Sequence, residues 1–246
     1  MARSRIHVGT SGWTYSDWRG TFYPPGTKST QLLEYYASRF DTVEVNATFY
    51  RLPTDAMIAS WNRRLPQDFH LVLKGPRTVT HLKKLIDADE PLQTFLQRAA
   101  ALEKLRVILW QLPPSLHHDP QRLHAFLERL PDRWRHAVEF RHASWWNDET
   151  VRLLRSFNVA FVAVSHPELP KQILPTGDFL YLRFHGEQRP LYRYDYSDDE
   201  LRAWADAVRP HLRGRELYAF FNNDVDAHAP FNALRFRELL TRSARR

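Results

Sequence analysis

Two glutamates and a histidine stand at the ends of short apolar runs: Glu44 in Thr42–Asn46, Glu139 in Ala137–Arg141 and His185 in Phe179–His185. Paired carboxylates beside a histidine can move protons to and from a substrate, and one positioned histidine contributes on the order of 10²–10⁴-fold as acid or base. Side chains alternate along an extended chain. Asn46 therefore shares a face with Glu44, Arg141 with Glu139, Arg183 with His185, and Asn222 with Tyr218 and Phe220. An ionised carboxylate on an inward face costs several kcal/mol unless it is paired. Glu44 and Glu139 thus require Lys74, Arg141 or Arg183 as neighbours. With Arg77, the same basic groups suit an anion, because the guanidinium fork matches phosphate oxygens. Trp13, Tyr15, Tyr50, His81 and Trp145 lie in segments that follow the runs and offer ring faces to a base or sugar.

The expectation is catalysis by Glu44, Glu139 and His185, an anion held by Lys74, Arg77, Arg141 and Arg183, and orientation by Asn46, Gln111 and Asn222. Hydrolysis or lyase-type cleavage of a phosphate-containing substrate fits this set. A non-catalytic binder of nucleotide or nucleic acid, a carbohydrate hydrolase and a purely structural ion-pair network are the alternatives. No cofactor is demanded. A divalent metal would draw its ligands from Glu44, Glu139, His185 and Asp224, against repulsion from Arg141 and Arg183. No Walker or dinucleotide glycine motif occurs, because Gly9-Thr-Ser-Gly12 lacks the spacing.

The elements that must position these residues follow from periodicity. Eight runs read as strands: Ile6–Gly9, Thr42–Asn46, Phe69–Lys74, Arg106–Leu112, Ala137–Arg141, Val159–Val164, Phe179–His185 and Glu216–Asn222. Helical stretches lie between them: Thr30–Arg39, Asp55–Arg64, Leu92–Leu105 in part, Pro120–Leu130, Asp148–Phe157, Asp198–His211 and Pro230–Arg242. The link from His166 to Gly177 holds three prolines and room only for a turn or short helix. Alternation of this kind predicts an α/β fold with a parallel sheet, namely a single (β/α)8 TIM-type barrel over residues 1–246 with an irregular sixth helix. A doubly wound open sheet is the structural alternative. In a barrel the chemistry sits at the carboxyl ends of the strands, where these polar residues fall.

Composition narrows the classes further. The 246 residues suit one barrel, and the absence of cysteine excludes disulfides, thiolate metal sites and a cysteine nucleophile. No apolar run is long enough to span a bilayer, and from Met1 the chain enters an alternating pattern, so a cytoplasmic protein without a membrane partner is expected. A net charge of +7 favours an anionic small molecule or nucleotide, and nucleic acid is a further candidate. Helix surfaces and the tail arginines Arg242, Arg245 and Arg246 account for part of it.

Seven ordered motifs carry a resemblance. They are Gly9-Thr-Ser-Gly-Trp13-x-Tyr15-x-x-Trp18, Val43-Glu44-x-Asn46-x-Thr48-Phe49-Tyr50, Lys74-x-x-Arg77-x-x-Thr80-His81, Gln111-x-Pro113-Pro114, Val138-Glu139-x-Arg141-x-x-Ser144-Trp145, Arg183-x-His185-Gly186 and Phe221-Asn222-Asn223-Asp224 with Asn232-Ala233. Together they resemble the YecE-like family, domain of unknown function family 72, from about residue 8 to residue 234. The resemblance implies a soluble bacterial or archaeal protein with a TIM-type barrel and no assigned reaction. Ser165 stands where many members carry an acidic residue, which weakens a metal site that depends on a sixth-strand carboxylate.

Overall fold

Parallel pairing runs through all the strands of the computed structural model, which describes residues 5–242. Arg245 and Arg246 lie outside that range, as do residues 1–4. The strands are β1 (Ile6–Thr10), β2 (Thr42–Val45), β3 (His70–Lys74), β4 (Leu105–Gln111), β5 (Arg135–Glu139), β6 (Ala160–Phe161), β7 (Ala163–Ser165), β8 (Phe179–Phe184) and β9 (Glu216–Phe221). They form a five-stranded sheet in the order β2-β3-β4-β5-β6 and a four-stranded sheet in the order β1-β9-β8-β7. Between them come α1 (Leu32–Arg39), α2 (Ala47–Tyr50), α3 (Asp55–Arg64), α4 (Asp89–Ala99), α5 (Pro120–Leu127), α6 (Asp148–Ser156), α7 (Asp198–Val208) and α8 (His228–Arg242).

The predicted sixth strand, Val159–Val164, is two segments because the chain changes partners at Val162. Its N–H still donates to the Val138 carbonyl at 3.0 Å, whereas Ala163, the next residue, is already in register with Leu182 of β8. The sheets are thus continuous in sequence on that side. On the other side β1 and β2 run next to each other without a ladder, bridged by one phenol. Tyr36 of α1 accepts from the Thr10 N–H at 2.9 Å and lies 3.1 Å from the Thr42 carbonyl, to which its hydroxyl can donate. Gly9 permits this approach, since a Cβ there would meet the Thr42 carbonyl oxygen at 2.4 Å.

Local signals place the helices. Asp119 and Asn147 accept from N–H groups in the first turns of α5 and α6, and Pro120 opens α5 where its missing N–H costs nothing. Ser197 and Glu200 close a capping box on α7. The stretch expected to be partly helical over Leu92–Leu105 ends at Ala99, and residues 100–104 turn into β4. The link from His166 to Gly177 contains no helix.

Strand parity sorts the core. Val43, Val45, Val138, Phe140, Leu182 and Phe184 join the large apolar cluster that includes helix residues. Val72, Val107, Leu109, Tyr181, Tyr218 and Phe220, on the opposite faces, form a separate inner cluster. Among the described residues no helix is long and apolar enough to cross a membrane.

Candidate functional site

Inner-face polar residues continue that inner cluster toward the carboxyl ends of the strands. Glu44 comes from β2, Lys74 from the end of β3, Glu139 from the end of β5, Arg183 from β8, and His185 from just beyond β8. Both glutamates and His185 are fully buried, and Arg183 is 1% exposed. One guanidinium answers both carboxylates: Arg183 donates through Nη1 to Glu139 Oε2 at 2.6 Å and through Nη2 to Glu44 Oε1 at 2.6 Å. Arg141 Nε donates to the other oxygen of Glu139. Ser11 Oγ and the Tyr181 hydroxyl complete the shell of Glu44 at 2.7 and 2.5 Å.

The protonation states follow from this packing. Burial alone would raise the pKa of Glu139, but Arg141 and Arg183 more than reverse it and hold the carboxyl well below its usual range. His185 is pushed well below the usual histidine value by burial and then by Arg141, so its imidazole is neutral. Arg141 Nη2 donates to its Nε2 at 2.9 Å, and the Asn222 amide lies 3.2 Å from its Nδ1. Asn222 in turn meets Asn46 at 3.4 Å.

Lys74 differs from the other cations. Its ammonium sits 4.2 Å from the centre of the Phe49 ring, and among the described residues it has no ion-pair partner and no side-chain hydrogen bond. Burial, then Arg183, pushes it down to about 7. His81 packs edge-on against the same Phe49 ring at 4.8 Å and is lowered to about 4, by burial and then by Lys74. Arg77 is exposed beside it, and Arg77, Phe49, Tyr50 and Arg51 line a cavity of about 430 Å³.

Gln111 ends β4 in register with Glu139. The Tyr15 hydroxyl donates to the Ser11 carbonyl at 2.5 Å, and Trp13 is half-buried, edge-on to Trp61. Trp145 is not brought to the site. It is 1% exposed, stacks on Phe140 at 4.5 Å and donates to the Leu116 carbonyl, as a core residue does. Asp224 lies near Tyr15, raised to about 6 by burial and by Asp17. Among the described residues no group of three or more acidic or histidine side chains is arranged to hold a metal ion, because guanidinium groups occupy the carboxylates. Ser165 falls by parity on the outer face, where its hydroxyl meets Glu187 at 2.5 Å and Tyr196 at 2.6 Å. Sequence reasoning missed Ser11, Tyr181 and Phe49. Parity with Arg183 singles out Tyr181, and Ser11 and Phe49 stand within the motifs that carry the resemblance, though nothing in their residue types marks a role.

This is a parallel α/β protein whose strand ends converge on a buried network of carboxylates, guanidinium groups and one neutral imidazole. Its sequence matches the family model described as protein of unknown function DUF72 over residues 7–246, and the chain belongs to that family. It is 25% identical to UPF0759 protein YunF of Bacillus subtilis (strain 168), covering 96% of this chain and 94% of that protein. To UPF0759 protein YecE of Escherichia coli (strain K12) it is 32% identical over 145 residues, 57% of this chain and 50% of the relative. A DUF72 family protein from Thermotoga maritima MSB8 shares the architecture at a TM-score of 0.86 and 34% identity, over 96% of this chain and 99% of that one. A DUF72 family protein from Enterococcus faecalis V583 shares the fold at a TM-score of 0.82 and 22% identity, over 96% of this chain and 95% of that one.

Proposed function

We propose that the carboxyl ends of the strands form the site of an enzyme acting on a small anionic, phosphate-containing substrate by hydrolysis or lyase-type acid/base chemistry. In this reading the two sheets together make a closed (β/α)8 barrel whose sixth strand serves both. The observation that carries it is the division of labour among the cations. Arg141 and Arg183 are committed to carboxylates, while among the described residues Lys74 and the exposed Arg77 have no ion-pair partner, and Arg77 lines a cavity that also takes in Phe49, the ring beside Lys74. The anion therefore goes to Lys74 and Arg77, with Asn46, Gln111 and Asn222 orienting the remainder. Ionised Glu139 and neutral His185 remain the acid/base candidates, and each would have to leave its arginine donors to take a proton. Lys74 and Asp224, at about 7 and about 6, have protons to give near neutral pH, where an acid works best.

Titration with inorganic phosphate tests this. Saturable binding should weaken about tenfold or more in Arg77→Ala, the effect of losing one charge-assisted hydrogen bond. Affinity unchanged by Arg77→Ala, or no saturable binding at all, sinks it. A single-stranded oligonucleotide is the second reading, favoured by Tyr50, which is 71% exposed beside Arg51 and Arg77. Salt-dependent oligonucleotide affinity without turnover selects that reading.

A further inference from the structure

We propose that Lys74 is a covalent site, its ε-amine condensing with the carbonyl group of a small anionic aldehyde or keto acid to form an imine. The inference rests on the anionic-substrate reading of the same site and names the reactive group of that substrate. The chain has six lysines. Lys28 and Lys83 are exposed, and Lys84 is partly so. Lys171 pairs with Glu187, and buried Lys104 donates to the Asn62 carbonyl at 2.8 Å with Glu103 at 3.7 Å. Among the described residues Lys74 is the lysine that combines burial with no hydrogen-bond acceptor for its amine, an aromatic face standing where a carboxylate would otherwise hold the proton on nitrogen.

Desolvation without a counter-ion is the environment that makes a lysine nucleophilic. Burial and the nearby Arg183 charge leave a large fraction of this amine unprotonated at neutral pH. The Phe49 ring under the nitrogen also lines the cavity that holds Arg77 and Arg51. Lys74 itself does not line that cavity, so a substrate whose anionic group is held by Arg77 has to pass Phe49 to bring its carbonyl carbon to the amine, and Lys74 then acts as nucleophile and not as anion holder.

The step balances without an oxidant or reductant. Counted from the lysine ammonium, a C–N bond forms and the carbonyl C–O bond breaks. The oxygen leaves as water with two of the three ammonium hydrogens, and the third stays on the iminium nitrogen. The iminium so formed is an electron sink for a bond on the neighbouring carbon. This is the chemistry of a lyase.

Incubation with glyoxylate and cyanoborohydride near neutral pH, followed by digestion and mass spectrometry at all six lysines, tests the proposal on the unmodified protein. The reduced adduct should form severalfold faster at Lys74 than at exposed Lys28, which lies outside that cavity, or at Lys83 on its wall, and the preference should vanish in urea. Labelling confined to exposed lysines overturns it, even if inorganic phosphate still binds and the anion reading survives. Acetaldehyde separates the two ideas further. If it labels Lys74 as readily as glyoxylate does, the imine stands and the anion reading falls.

Discussion

Arg183 satisfies two buried carboxylates with one side chain, and the energetics of the site turn on that economy. Burying an ion is costly, and a network repays the cost only while every member is present. Arg183→Met should therefore destabilise the protein by about 3–5 kcal/mol in chemical denaturation, because Glu44 loses the one guanidinium that donates to it among the described residues. Adding Glu44→Gln to Arg183→Met should recover part of that loss. A double variant at least as unstable as the sum of the two single changes would show that the charges do not couple. The residue types at these positions were legible from sequence because parity alone puts Glu44, Glu139, Arg183 and His185 on inner faces. Which cation meets which carboxylate was not legible. It depends on strand register and side-chain reach across the interior, so Arg183 and Arg141 take the glutamates and Lys74 is left over an aromatic ring.

Among the elements, α3 matches its periodic signal end to end, whereas α2 and the π-helical turn Thr78–Leu82 went unread. Segments of one turn have too few residues to show a period. They are held by tertiary bonds instead, such as the Thr48 hydroxyl lying 2.8 Å from the Lys74 carbonyl. The divided sixth strand was hidden for a related reason, since Val159–Val164 keeps one apolar pattern while its backbone changes partner. Trp145 shows the converse limit: an aromatic residue after a strand is a core residue or a mouth residue according to packing that spacing does not encode. At the seam between β1 and β2, Tyr36→Phe should cost about 2 kcal/mol in thermal or urea unfolding, because it strands the Thr10 N–H and the Thr42 carbonyl in a buried place. A change below a few tenths of a kcal/mol would mean that water replaces the hydroxyl.

Acid stability is a property of the whole molecule. Five histidines, His70, His81, His136, His166 and His185, are shifted down toward the neutral form in the fold, the first three to about 4, by burial in every case. The unfolded chain binds protons at these groups near pH 6.5 and the folded chain does not, so stability should fall as pH drops from about 6.5 toward 4. His136, 5% exposed, alone contributes about 3 kcal/mol to that loss. Asp224, raised to about 6, works in the opposite direction over part of the window, one group against five. Denaturation midpoints between pH 7.5 and 4.5 check this, and a flat profile would contradict it.

Nearly every bond in the site joins one sheet to the other. Arg183 and Tyr181, from the four-stranded sheet, hold Glu44 and Glu139 of the five-stranded one, Ser11 follows β1 to Glu44, and Arg141 crosses to His185. The strand-end network is therefore also a clasp that ties one sheet to the other. A ligand that drew Arg183 away from either glutamate would unfasten the scaffold, unless the ligand brought a negative charge of its own to take the vacated place.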